Sequence, residues 1–294
     1  MNRLGKVLVV VLSVIMALTC FAGCKPQEQF DTEEWCSNVL EGVEETEYVI
    51  CVSKAIPEGQ QILDEINKAI DAKAATLIKE YSPEDLTQRI SDANAKEMFF
   101  KLNELRDKEG VDPLNIYAHL YNPYEYSNGP GAFAMGIDVE ICYSVAITLG
   151  RSIIFNEPSL EEGYQKVKSG EGDILISAIA KTPELEKDFY VSKVYDKGTQ
   201  QIVSLNTRRL HKIKDMKGLR IGVIADRTGE KLISEAIEKG VLKNSGAEIH
   251  VFATDTEAKN AIQNERIDCI VMDEKPALRT VARMIKERTN TGFW

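Results

Sequence analysis

The side chains that catalysis and metal binding use most are scarce in this chain. There are six Cys, three His and two Trp in 294 residues. Four of the cysteines, Cys36, Cys51, Cys142 and Cys269, are spaced widely and irregularly, with no Cys-x-x-Cys pair. No metal-ligand constellation is visible. No Ser-His-Asp order, His-Glu-x-x-His or Gly-x-Ser-x-Gly is present. No cofactor or metal is implied, and no catalytic signature is visible. Cys142 lies on a helix pattern and Cys51 and Cys269 in strand patterns, so these three are expected as buried thiols.

Composition narrows the partners. Acidic residues number 46 against 36 basic, a formal charge of -10. Nucleic-acid binders usually carry a basic excess, so no nucleic-acid partner is expected. With 44% apolar and 28% charged residues, the chain is globular and can bury a substantial core. The length fits one large domain or two lobes.

The elements alternate from residue 115 onward. Strands are expected at 115–120, 173–179, 201–205, 219–224, 248–252 and 268–272. Asp138 is placed to cap a helix closed by Gly150. Ser159 with Glu162, and Thr254 with Glu257, form capping boxes. Thr182-Pro183 starts a helix with Pro at its first position, Thr228 opens another, and Pro276 opens the last. Strand–helix alternation is the signature of an α/β sheet. Two such units joined by an extended segment imply two lobes with a cleft between them. Before residue 115 the pattern gives one strand at 48–52, a long helix carrying Ile62, Ile66, Ile70 and Leu77, and a second helix with Met98, Phe99, Leu102 and Leu105.

The start of the chain reads as an export segment. Arg3 and Lys6 are the only charges among residues 1–23, and 7–22 is apolar apart from Ser13 and Thr19. A basic start followed by such a run is a secretory signal. Phe21-Ala22-Gly23-Cys24 resembles the bacterial lipobox, which implies cleavage before Cys24 and diacylation of its sulfur. An ordinary cleaved signal without lipid is the alternative. Loss of 1–23 leaves 34 basic and 46 acidic residues, a charge of -12. The polar stretch after Cys24 fits a solvated tether, set at residues 24–38.

Six motifs, in order, resemble the family 3 extracellular solute-binding proteins, the amino-acid-type receptors of ABC importers. They are Tyr121-Asn122-Pro123-Tyr124-Glu125-Tyr126, Gly136-Ile137-Asp138-Val139-Glu140, Gly172-Asp173-Ile174 with Thr182-Pro183-Glu184, Tyr195, Asp215-Met216-Lys217-Gly218, and Ile267-Asp268 through Met272-Asp273. The resemblance implies a two-lobed type II periplasmic-binding-protein fold. The family's final hinge strand and helix look displaced to the N-terminus, at Tyr48-Val49-Ile50-Cys51-Val52 and around 63–70. A circular permutation is therefore expected, with a remnant of a duplicated domain as the alternative. The implied division is 39–112 permuted hinge strand and lobe-one helices, 113–200 lobe one, and 201–294 hinge strand and lobe two. Strands 48–52 and 201–205 would run side by side as hinges, with Trp294 close to residues 38–39.

The resemblance also names a cleft. Carried over, the ligand-binding positions are Tyr121, Tyr124, Ser177, Thr182, Arg227, Thr228 and Asp273. The family's carboxylate-binding Arg falls on Leu185, its hydroxyl on Ala180, and its Gly-Thr on Asp226-Arg227. Arg227 or Lys181 supplies the missing cation, or the ligand is an amine without that carboxylate, or the site is degenerate. A retained Asp273 with a lost Arg favours an amine-bearing solute over an organic acid, unless Arg227 swings in, and places Leu185 where the Arg would reach. The implied function is a lipid-anchored, monomeric receptor on the extracellular face of the cell membrane. It would pass a small polar solute to an ABC permease. The alternatives are a surface sensor or adaptor with a degenerate site, and a prephenate-dehydratase-like enzyme.

Overall fold

The run Tyr48-Val49-Ile50-Cys51-Val52 is apolar at every position, so a strand made from it must be covered on both faces. The computed structural model, which describes residues 35–81, 89–106, 110–127 and 133–291, places it that way. Strand β1 (Trp35–Val39) leads into β2 (Thr46–Ser53), which holds the run. Tyr48, Ile50 and Val52 face one apolar cluster with Ile62, Ile66 and Ile70. Val49 and Cys51 face another with Val167, Leu175 and Phe189. The first cluster is supplied by α1 (Gly59–Glu80), α2 (Arg89–Arg106) and, beyond β3 (Leu114–Tyr117), α3 (Ile137–Leu149). Helix α1 buries Ile62, Ile66, Ile70, Ala74 and Leu77, one stripe at helical spacing. The opposite face is covered by α4 (Leu160–Ser169), which follows β4 (Ile153–Asn156).

Lobe one is completed by β5 (Ile174–Ala180), the single turn α5 (Leu185–Asp188), β6 (Phe189–Val191) and β7 (Asp196–Gly198). Its sheet runs β4-β3-β5-β2-β6, with β7 pairing the start of β2. Lobe two holds β8 (Gln200–Leu205), β9 (Arg220–Ile224), α6 (Thr228–Glu238), β10 (Glu248–Phe252), α7 (Asp255–Gln263), β11 (Cys269–Asp273) and α8 (Glu274–Thr291). Its sheet runs β1-β8-β11-β9-β10. Cys269 and Val271 turn toward Ile233 and Ala236 of α6. Ile270 and Met272 turn toward α7 and α8 and join the cluster of lobe one.

The chain crosses between lobes twice, in opposite directions. On one crossing Val39 is paired with Gln201, and Leu40 N–H donates to Gln200 O at 2.8 Å. Further along, Thr46 is paired with Gly198 and Tyr48 with Asp196. The two crossings therefore lie side by side, although not with the expected residues. Segment 48–52 belongs to the sheet of lobe one, and the partners of 201–205 are β1 and β11. The strand beside β8 begins at Trp35, inside the stretch expected as a tether to residue 38, because its backbone pairs antiparallel with β8 from Trp35 to Val39.

Several local expectations hold. Ser159 Oγ accepts from Glu162 N–H, and Thr254 Oγ1 accepts from Glu257 N–H, at the starts of α4 and α7. Cys51, Cys142 and Cys269 are buried free thiols, and burial pushes Cys51 and Cys269 up to about 12. Two expectations fail. The helix expected from Thr182-Pro183 is one turn starting at Leu185. Asp138 is not a cap: Gly136 is, at φ 128°, and a Cβ there would meet the Tyr124 carbonyl at 2.1 Å. The export segment, Cys24, the tether residues 24–34 and Trp294 lie outside the described residues.

Candidate functional site

Asp273 closes β11, the central strand of the second sheet, with an acidic side chain at its C-terminal end. It is 2% exposed. Its Oδ1 accepts from Tyr48 Oη at 2.8 Å and from the Gln200 amide. Its Oδ2 accepts from Tyr121 Oη at 2.7 Å. Two donors thus come from lobe one and one from the second crossing. Among the described residues Asp273 forms no ion pair, so neutral groups alone hold a buried carboxylate. Burial, and then the Asp273 charge, push the Tyr48 and Tyr121 phenols well above their ordinary range, so both remain hydroxyl donors at neutral pH.

Arg227 lies over the face of the Tyr121 ring. It is the residue before α6, at φ -106° and ψ 163°. The preceding Asp226 takes φ 61°, a left-handed conformation that Gly adopts more easily. This pair directs the Arg227 side chain into the molecule, where it is 6% exposed. Its guanidinium carbon lies 3.9 Å from the Tyr121 ring centroid, a geometry worth about 0.5–2 kcal/mol. Nη2 donates to Ser177 Oγ at 2.6 Å and Nη1 to the Ser177 carbonyl. Nε finds no partner.

Ser177 can accept in this way because β5 is deformed beneath it. The register of β2 against β5 shifts between Val49 and Cys51. Opposite the shift, Ser177 and Ala178 take φ 137° and 45°, costing on the order of 1–3 kcal/mol each. Asp138 offsets this: its Oδ2 accepts from Ser177 N–H at 3.1 Å and Ala178 N–H at 2.9 Å. Burial pushes the Asp138 carboxyl up to about 6. Burial and the neighbouring Asp138 push Glu125 well above the carboxylate range, and Arg227 pulls it back only in part.

A cavity of about 1220 Å³ opens beside these groups, lined among others by Glu47, Ala180, Thr182, Arg227, Thr228 and Asp273. Tyr121 and Ser177 are absent from its wall because Arg227 covers them. Thr182 and Thr228 face the cavity from the β5–α5 loop and the start of α6. Gly229 lets that helix approach β11, since a Cβ would meet the Val271 carbonyl at 2.7 Å.

Of the residues expected in the cleft, Thr182, Arg227, Thr228 and Asp273 line the cavity, and Tyr121 and Ser177 contact Arg227 from within the protein. Tyr124 lies behind them: it is 1% exposed, stacks on Tyr121 at 6.4 Å, and donates to Asp196 Oδ2 at 2.9 Å. Leu185 is not among the residues lining the cavity. It packs with Val49, Cys51, Ile179 and Phe189 in lobe one, because an apolar side chain gains more from that core than from a polar wall. Tyr48, Gln200, Glu125 and Asp196 escaped sequence reasoning as site residues. Asp196 accepts from Lys275 at 2.7 Å, and with His119 Nε2 against Ala253 O at 2.8 Å it ties the lobes together.

Residues 116–290 match the model of the bacterial extracellular solute-binding proteins, family 3. The arginine-binding extracellular protein ArtP of Bacillus subtilis is 30% identical over 119 residues, 39% of this chain and 46% of that protein. The histidine-binding periplasmic protein of Escherichia coli K12 is 23% identical over 127 residues, 43% of this chain and 46% of that protein. The chain thus spans under half the length of these curated relatives. An ancestral arginine-binding protein bound to arginine superposes with a TM-score of 0.52 at 23% identity, covering 61% of this chain and 76% of that one. An ancestral amino-acid-binding protein, a precursor of cyclohexadienyl dehydratase, gives 0.50 at 21% identity, covering 65% and 94%. At such identities the likeness is one of fold, the two-lobed type II periplasmic-binding-protein fold. The matched segment runs from β3 into α8 and takes in both walls of the cleft, and on that extent the chain belongs to the bacterial extracellular solute-binding proteins of family 3.

Proposed function

We propose that the protein is an extracellular solute receptor, lipid-anchored at Cys24, that takes a small polar solute between its lobes and delivers it to an ABC permease. It works as a monomer and without a cofactor. The observation that carries this reading is Asp273, a buried carboxylate beside a large cavity, held only by neutral donors. A buried charge without a counter-ion is costly, and a solute ammonium supplies the counter-ion. Thr228 and the start of α6 offer backbone N–H groups to an anionic end. A solute with both ends, amino-acid-like or amine-bearing, fits the two. The names of the relatives, arginine- and histidine-binding, point to the same class.

The reading also takes the chain as a circular permutant, with β1 and β2 supplying from the N-terminal side one strand to each sheet. A second function is favoured by Arg227, which covers the Tyr121 face, and by Leu185, which is turned into lobe one. It is a surface sensor or adaptor whose site no longer takes a solute. A thermal-shift screen of the chain from residue 24 against amino acids, amines and organic acids separates the two. A solute at 100 times its dissociation constant stabilises by about 2.7 kcal/mol. Stabilisation by an amino acid or amine supports the receptor, and no shift with any of them supports the adaptor.

A further inference from the structure

We infer that Arg227 acts as a built-in ligand: its guanidinium fills a cation subsite on the face of Tyr121 and keeps guanidinium-bearing solutes out of it. The inference rests on reading this cleft as a binding site.

The subsite has what a guanidinium needs. An aromatic face lies 3.9 Å from the guanidinium carbon. A hydroxyl and a carbonyl of Ser177 accept its Nη protons. A buried acid, Glu125, lies near enough for Arg227 to draw its titration down against burial, and neither oxygen of Glu125 has a hydrogen-bond partner. Cation–π contact and oriented acceptors are recognised means of holding a planar cation.

The fold does not require an arginine there. Arg227 precedes the first turn of α6, yet its side chain makes no capping hydrogen bond. A Thr or Ser at that position caps a helix well. The guanidinium also fits incompletely. A guanidinium carries five donors, and Nε, although buried, has no acceptor. Arg227 itself forms part of the wall of the large cavity. Shortening the side chain therefore joins the Tyr121–Ser177 subsite to the space beside Asp273 and Thr228. Arg227 is on this account the residue that sets which cations the cleft accepts.

The test is calorimetric titration of the wild type, Arg227→Ala and Arg227→Thr with methylguanidinium, and with methylurea as its neutral isostere. Circular dichroism establishes that each variant is folded. The Thr variant supplies a capping oxygen and keeps the test independent of helix fraying in the Ala variant. Both variants should bind methylguanidinium at least ten-fold tighter than the wild type, and methylurea should show no such gain. Equal affinity in all three proteins, no binding to either variant, or an equal gain for methylurea would overturn the inference. Failure of both variants to fold would make Arg227 a structural residue and would overturn it too. The wild-type solute screen can fail while the variants gain methylguanidinium binding, and the reverse, so the two readings fall separately.

Discussion

Replacing Asp138 by Asn should change how stability depends on pH. The carboxyl is fully enclosed by α3 and the deformed stretch of β5, and burial raises it from 3.8 to about 6. Its folded value lies above its unfolded value. The folded state therefore holds the proton more tightly, and stability is greatest below the unfolded value and is lost as pH rises through about 6. A rise of about two units corresponds to about 3 kcal/mol over the whole window, of which about 2 kcal/mol falls between pH 4 and pH 7. Glu125, raised by burial and by Asp138 itself, adds loss of the same sign at higher pH. Asn keeps an oxygen for the N–H groups of Ser177 and Ala178 and has nothing to ionise. The assay is urea unfolding of both proteins at half-unit steps from pH 4 to pH 7. The stability of the wild type relative to Asp138→Asn should fall by about 2 kcal/mol across that range. Parallel curves would refute the argument that the β5 deformation is held by a carboxylate charged at a cost.

Thr254→Ala removes the oxygen that accepts from Glu257 N–H at 3.2 Å and should cost about 1 kcal/mol in urea unfolding. Cys24→Ala should abolish metabolic lipid labelling and release the protein from the membrane fraction; an unlabelled wild type would contradict the anchor. A chain re-cut so that residues 35–106 follow residue 291 through a short linker should still unfold cooperatively, because α8 already packs on β1 and two-lobed folds tolerate such joins when the ends are close. Loss of a cooperative transition would count against the permutation.

Much of both lobes was legible because the signals are local. Capping oxygens at Ser159 and Thr254, the αL glycines at 150 and 170, and the apolar runs of β9 and β11 are each set within a few residues. The hinge was half legible. The apolar run 48–52 announced a buried strand, but which sheet it joins depends on pairing with Ile174–Ala180, over a hundred residues away, and no local feature encodes that. β1 was missed because Trp35–Val39 is half-exposed and lacks an apolar period; its place is set by the backbone of β8. Asp138 was read as a cap because an Asp near a helix start usually is one; here Gly136 takes that position, and the carboxylate serves a distant pair of amides. Arg227 and Asp273 were legible as cleft residues only through the order of motifs around them. That Arg227 would lie on Tyr121 and Tyr48 would reach Asp273 follows from how the lobes meet, which no stretch of sequence reveals.

The central claim is that Asp273 is the counter-charge for a solute in the cleft. Calorimetric titration of the wild type and Asp273→Asn with the best amine or amino acid from the screen tests it most directly, since Asn keeps the shape and removes the charge. Tyr48, Tyr121 and Gln200 remain in place to hold the amide. The account predicts binding by the wild type and a loss of at least ten-fold in affinity in the variant, with plain dicarboxylates bound weakly by both. Tight binding of a dicarboxylate, unchanged by Asp273→Asn, would contradict it.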